Sequence, residues 1–130
     1  MLHLDTHAVV WLYAGAVELF PAAARRLLEE HDLGVSPAVV LELQYLREIK
    51  RITATPDAVM HSLAALMSLH VLDLSFSAVV HAAMTNTWTR DPFDRLIVAT
   101  AACDNACLLT KDAAILRHYP KACWSRSPQM

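Results

Sequence analysis

Three times within residues 1–120 a residue that caps helices stands directly before a proline: Ser36-Pro37, Thr55-Pro56 and Asp91-Pro92. Proline suits the first helical position, because its φ is already helical and its missing N–H would lack an intrahelical partner there. Ser, Thr and Asp accept hydrogen bonds from the first turn. Each pair marks a helix start, and short apolar runs fall between the helices. The reading is a strand over Met1–Leu4, helices over His7–Ala14 and Pro21–Glu30, and a strand over Leu33–Val35. Helices follow from Pro37 to about Arg51 and from Thr55 through Met67. His70–Leu74 reads as a strand, Ser75–Thr85 as a helix, and Asp91 to about Asp104 as a long helix. A strand at Ala106–Leu109, a short helix at Asp112–Arg117 and a last strand at Ala122–Trp124 complete the chain. Strands alternating with helices predict an α/β fold whose parallel sheet is covered on both faces. No repeat or linker interrupts the pattern, and 130 residues suit one domain, 1–130.

Several function classes drop out. Hydrophobic residues make up 55% of the chain, ample apolar surface to fold. No apolar run reaches the length of a membrane span; the uncharged stretch Leu74 to Thr89 is broken by Ser, His, Thr and Asn. Met1-Leu2-His3-Leu4-Asp5 lacks the features of a secretory signal, so the cytoplasm is expected. Only Gly15 and Gly34 are present, which excludes glycine-rich dinucleotide and phosphate loops. Eleven Lys and Arg against 13 Asp and Glu leave a net charge of −2, so any nucleic-acid contact must be local. The apolar excess points to surface covered by a partner or a second copy. Cys103, Cys107 and Cys123 lack zinc-site spacing and are expected as buried thiols in a reducing compartment.

Four acids hold the chemistry. Asp5 and Asp112 each follow a strand, and ligands of open α/β sheets gather at that edge. On the helix from Pro37, a 100° step puts Glu42 with Val39, Leu46 and Ile49 in an apolar stripe, opposite Gln44, Arg47, Glu48 and Arg51. A carboxylate there must be protonated, paired with Lys or Arg, or bound to a metal. Asp94 opens a helix that is apolar nearly all round and points with Ile97, Val98 and Ala101. Local explanations compete: Asp91 as cap with Asp94 two positions after Pro92 makes a near-capping box, and Asp112 can cap the helix after it. Clustering Asp5, Glu42, Asp94 and Asp112 without a cation would raise their pKa values; a divalent cation turns that cost into binding energy. Oxygen-only ligation selects Mg²⁺ or Mn²⁺ over zinc.

Leu4-Asp5-Thr6-His7, the segment Ser36 to Leu43 around Glu42, Asp91-Pro92-Phe93-Asp94-Arg95-Leu96-Ile97-Val98-Ala99 and Leu109-Thr110-Lys111-Asp112 together resemble PIN domains, most closely the VapC-type toxins of bacterial toxin–antitoxin pairs. The resemblance spans almost the whole chain, in order and spacing, and Asp91 to Arg95 is its most specific part. It implies a PIN-like three-layer α/β/α sandwich with a short, mainly parallel central sheet. It also implies a metal-dependent endoribonuclease leaving 5′-phosphate and 3′-hydroxyl ends. Asp5, Glu42, Asp94 and Asp112 would be the metal-binding acids, Asp91 accessory, and Thr6 and Thr110 would orient carboxylates or water. Such toxins form dimers and are blocked by a cognate antitoxin. His3 departs from the family, whose first strand is normally apolar.

Arg90, Arg95 and Lys111 neighbour the acids and either attract an RNA backbone or balance charge, Arg95 bracing Asp91 or Glu42. Direct ligation by His3 or His7 is not expected. His31, His61, His70, His81 and His118 show no metal spacing. Trp11, Tyr13, Tyr45 and Trp88 read as core or interface, a view that an exposed aromatic beside the acids would reverse. Two rivals remain: an aspartate-nucleophile phosphatase, which wants a second acid where His7 stands, and a silent RNA- or protein-binding module whose acids only cap helices.

Overall fold

A computed structural model describes residues 1–126. Five strands form one parallel sheet: β1 (Leu2–Leu4), β2 (Leu33–Val35), β3 (His70–Val71), β4 (Cys107–Leu109) and β5 (Ala122–Cys123), in the order β3-β2-β1-β4-β5. Around it lie α1 (Thr6–Tyr13), α2 (Ala22–Glu30), α3 (Pro37–Glu48), α4 (Pro56–Met67), α5 (Phe76–Ala83), α6 (Pro92–Cys103) and α7 (Ala113–His118), with a 3-10 turn at Val17–Leu19. The chain steps from β1 through β2 to β3 on one side, then returns to add β4 and β5 on the other. Right-handed crossovers in opposite directions put helices on both faces. The result is the expected three-layer α/β/α sandwich.

The capping pairs behave as local chemistry dictates. The hydroxyls of Ser36 and Thr55 accept from the N–H of Ala38 and Ala58, both at 3.1 Å, and Pro37, Pro56 and Pro92 each open a helix. With so few glycines, helix ends fall on other residues in the left-handed region: Lys50 (φ 65°), Ser68 (φ 55°) and Asn105 (φ 51°). Each costs about 1–2 kcal/mol in a non-glycine residue, least for Asn. Lys50 is why α3 stops at Glu48 instead of continuing to Arg51.

The apolar stripe of α3 also differs from its helical-wheel expectation. Ala38, Val39 and Leu43 are buried while Ile49 is 44% exposed, so Glu42 lies at the border of the stripe, half-buried. The core presses on the helix nearer its start than its end. β3 is shorter than predicted because its partner runs out: Gly34 and Val35 pair with His70 and Val71, after which β2 turns into α3 at Ser36. Cys103 closes α6 and Cys107 opens β4, so they share no helix; Cys103 is exposed and only Cys123 is buried.

The core centres on Leu2, Leu4, Leu33, Val35, Leu108 and Leu109 of the sheet, met by Val39, Leu43, Val59, Leu63, Ile97 and Val98 from the helices. β1 is buried on both faces, as a central parallel strand must be. His3 is the exception in kind: 1% exposed, its Nε2 lies 2.8 Å from Oδ2 of Asp104 at the end of α6. Burial lowers its pKa against the pull of Asp104, and its Nδ1 has no hydrogen-bond partner.

Candidate active site

In an open parallel sheet, the crevice forms where neighbouring strands send their connections in opposite directions. Here that point lies between β1 and β4, paired from Leu2↔Cys107 to Leu4↔Leu109. The chain leaving β1 is Asp5-Thr6 and the chain leaving β4 is Thr110-Lys111-Asp112. The Asp5 N–H still donates to Leu109 O at 3.1 Å, which locks the two exits together.

Asp5, 5% exposed, caps α1 with Oδ1, which accepts from the Thr6 N–H at 2.8 Å. Its Oδ2 accepts from the Thr110 hydroxyl at 2.6 Å. That hydroxyl, fully buried, in turn accepts from the Asp112 N–H at 3.0 Å. A hydroxyl has one proton, so this relay has a single direction: Asp112 backbone to Thr110 to Asp5. Thr110→Val keeps the shape and deletes the relay. It should lower stability by about 1–3 kcal/mol, the cost of an unpaired buried charged acceptor, and thermal unfolding against Thr110→Ser, which keeps the hydroxyl, checks this.

Glu42 reaches the same rim, where its Oε1 accepts from the Thr6 hydroxyl. Asp112 caps α7, its Oδ1 accepting from Ala114 and Ile115 N–H at 2.9 and 3.0 Å. Asp91 caps α6, its Oδ1 accepting from Phe93 and Asp94 N–H at 2.8 and 3.3 Å. The local explanation therefore holds for one oxygen of each of these two acids. It fails for Asp94. No reciprocal capping box forms, because the Asp91 N–H donates to Thr89 Oγ1, and among the described residues the Asp94 carboxylate accepts no hydrogen bond.

No Lys or Arg pairs with any of the five acids among the described residues. Arg95, expected as a brace for Asp91 or Glu42, instead donates from Nε to Thr89 O at 2.9 Å. Arg90 is exposed, and Lys111 turns to the Trp11 ring, 4.5 Å from its centroid. The electrostatics reflect the lack of a paired Lys or Arg among the described residues. Burial first, then Asp91, Asp5, Asp112 and Glu42, push Asp94 up to about 7. Glu42 is raised as well, mainly by burial and further by Asp5 and Asp91, against the Thr6 hydrogen bond. Asp94 thus feels the charge of the other four carboxylates, and Glu42 that of Asp5 and Asp91. The five acids stop short of a closed ligand set: among the described residues no three His, Cys, Asp or Glu stand as a group able to hold an ion. Like charges with nothing between them are expected to stand off.

His7 cannot supply the missing charge. Its Nε2 accepts from the Lys111 N–H at 3.1 Å, so the ring proton sits on Nδ1, 3.6 Å from Asp5 Oδ2. Burial lowers its pKa and keeps the ring neutral at neutral pH. With Nε2 bonded to the β4 exit and Nδ1 facing Asp5 without a hydrogen bond, His7 stands between the two. Its role was not apparent in the sequence. The nearest signal was its place two residues past an acid that ends a strand.

The arrangement has relatives. Residues 2–121 match the PIN domain family. The chain is 30% identical over 118 residues to Ribonuclease VapC22 of Mycobacterium tuberculosis, covering 88% of this chain and 89% of that one. Among solved structures, VapBC2 of Rickettsia felis bound to a promoter DNA fragment matches with a TM-score of 0.63 at 20% identity, covering 95% of this chain and 99% of that chain. A toxin–antitoxin complex from Klebsiella pneumoniae matches with a TM-score of 0.66 at 15% identity, covering 98% and 99%. DNA-bound VapBC of Salmonella typhimurium gives 0.61 at 20% identity and 93% of both chains. At these identities the structures speak to the fold.

Proposed function

The chain belongs to the PIN domain family, and from that premise we propose that it acts, as one domain, as the endoribonuclease toxin of a VapC-type toxin–antitoxin pair, dependent on Mg²⁺ or Mn²⁺. One observation supports this most: the Asp94 carboxylate, which accepts no hydrogen bond among the described residues, is raised to about 7 by burial and by the charge of four other acids. A fold does not keep such repulsion for stability, and perturbed acids in a crevice mark functional sites. Asp5, Glu42, Asp94 and Asp112 would hold the ion, with Asp91 accessory; an all-oxygen donor set suits a hard dication. When bound, such an ion lowers the pKa of water and offsets charge building on phosphoryl oxygens.

The chain's own residues prepare that site. Thr110 fixes Asp5 by donating to Oδ2, and Thr6 fixes Glu42 by donating to Oε1. Asp112 and Asp91 each keep one oxygen on a helix cap and leave the other for a ligand. Without the ion, Asp94 holds a proton about half the time near pH 7, which relieves the repulsion. Arg90 and Lys111, both exposed, attract the RNA backbone, while Arg95 holds the Thr89 loop in place. Cleavage leaves a 5′-phosphate and a 3′-hydroxyl.

A cognate antitoxin and a second copy of the chain are the proposed partners, in the cytoplasm. Leu41 (61% exposed), Phe76 (72%) and Met84 (59%) offer apolar surface for such contacts on α3 and at the two ends of α5. No helix among the described residues is long and apolar enough to cross a membrane. The test is purified chain, freed of antitoxin, incubated with total RNA in Mg²⁺ or Mn²⁺ and in EDTA, with 5′ ends mapped. Fragments with 5′-phosphates in the metal lanes alone are expected. RNA left intact in every lane would favour the silent binding module, and equal cutting in EDTA would remove the metal from the reading.

A further inference from the structure

α1 carries His7 and Trp11 four residues apart, so the two side chains leave the helix on one face. That face meets the chain emerging from β5. The His7 ring centroid is 5.5 Å from that of Trp11 and 5.8 Å from that of Trp124, and the two indoles are 5.9 Å apart. Behind them is buried Phe20, 5.8 Å from Trp11 and 5.2 Å from Trp124. Through His7 the cluster touches the acid site, since Nδ1 faces Asp5 Oδ2. Both indoles are half-buried. Trp11, expected as plain core or interface, thus stands beside the His7 that faces Asp5.

Trp11 does not show a bare face. The Lys111 ammonium lies over it, on an exposed side chain that forms no ion pair among the described residues. A cation on an exposed aromatic face is held by about 0.5–1 kcal/mol, so Lys111 is a displaceable cover. A nucleobase stacked on an aromatic is held by about 1–3 kcal/mol, and a displaced ammonium can move to a phosphate. Past Trp124 a groove of about 550 Å³ runs along α7, with Arg117 and Arg126 on its walls and no acidic residue in its lining. In a chain of net charge −2 this brings three cations to the aromatic cluster: Lys111 over Trp11, and Arg117 and Arg126 in the groove that Trp124 lines. A polyanion with one phosphate at the acids would find base stacking and positive charge next along its path.

We propose that Trp11 is a nucleobase-stacking platform for single-stranded RNA bound at the acid site, with Lys111 moving from the ring to the backbone and Arg117 and Arg126 holding the strand beyond. The choice of ligand rests on the nuclease reading; the platform rests on the aromatic and cationic geometry.

The test measures binding of a fluorescein-labelled, mixed-sequence single-stranded oligoribonucleotide to protein bearing Asp94→Asn, which removes cleavage and one repelling charge. Adding Trp11→Leu should weaken binding roughly 5- to 100-fold, and adding Trp11→Phe should keep most of it. With an unlabelled oligoribonucleotide, tryptophan fluorescence should be quenched, and Trp11→Phe should lose the larger share of that quench. This second readout stands even if Trp11→Leu folds poorly. No binding by the parent protein, or a quench unchanged by Trp11→Phe, overturns the platform. So does unchanged RNA affinity with weakened antitoxin affinity, which would assign the ring to the antitoxin. Wild-type and Trp11→Leu proteins cleaving RNA with the same KM overturn the platform and leave the nuclease reading standing. A wild type that binds RNA but never cuts it does the reverse.

Discussion

Asp5→Asn should abolish RNA cleavage and also weaken the fold. The carboxylate leaves β1 at the sheet's switch point and accepts two hydrogen bonds of different kinds, from the Thr6 backbone on Oδ1 and the Thr110 hydroxyl on Oδ2. An amide can still cap a helix, but only one of its two end atoms accepts. If its oxygen stays toward Thr6, the new NH₂ faces a hydroxyl whose proton then has no acceptor in a fully buried position. If the amide flips, two N–H groups oppose each other at the cap. Either way a buried partner is lost, for about 1–2 kcal/mol, partly offset by weaker repulsion on Asp94. The activity loss should be larger. Removing one anionic ligand of a hard dication, at about 4 kcal/mol of transition-state stabilisation, corresponds to roughly 10³-fold in rate. Cleavage assays and thermal unfolding on the same preparation check both. Cleavage at the wild-type rate would overturn the assignment of Asp5.

Asp94→Asn should match that loss of activity with the opposite effect on stability. The Asp94 carboxylate accepts no hydrogen bond among the described residues, and its pKa of about 7 lies well above the ordinary 3.8. Between those two values the folded state keeps a proton that the unfolded chain has released, so raising pH through that window drains stability, and the full cost stands above pH 7. Three pKa steps would equal about 4 kcal/mol, but the side chain is only half-buried, so solvent screening reduces this to about 1–2 kcal/mol. In EDTA at pH 8, Asp94→Asn should therefore raise Tm by roughly 4–8 °C. At pH 4 it should change little, and the fall in wild-type stability between those pH values should flatten. Mg²⁺ or Mn²⁺ should raise the Tm of the wild type and do so less for the variant, because a ligand stabilises the state that binds it. A lower Tm at pH 8 would mean that the acids are not crowded, and the metal reading would fall with it.

The two variants separate roles that look alike in the sequence. Asp5, Asp91, Asp94 and Asp112 all sit at element ends where acids are common for local reasons. For Asp91 and Asp112 the local reason is real. For Asp94 it is only partial: the residue lies in the first turn of α6, but the capping box falls away once the Asp91 N–H is seen bonded to Thr89. Arg95 misled for a related reason. Adjacent acids suggested an ion pair, but the guanidinium of a residue in the first turn of α6 reaches back to the preceding loop.

Helix starts were legible because capping is a contract between residues two or three apart: Ser36 with Ala38, Thr55 with Ala58, Asp91 with Phe93. Strands were legible as short apolar runs, and their ends only approximately, since β3 stops where its neighbour stops. The order of the acids along the chain, and their resemblance to PIN domains, already named the candidate acids whose charges meet at Asp94. Contacts across the chain were not legible. His3 and Asp104 are 101 positions apart, and Thr110 and Asp5 are 105. No local preference of either residue anticipates such a bond.

Periodicity, capping and turn chemistry act over a few residues, so the chain alone specified its α/β alternation, its helix starts and which side chains were available for chemistry. Packing β4 beside β1 decided the rest: which acids share a field, that no Lys or Arg among the described residues pairs with them, and that Trp11 and Trp124 gather on the His7 that faces Asp5. Those outcomes depend on distances through space between segments remote in sequence, and such distances do not exist until the sheet has formed.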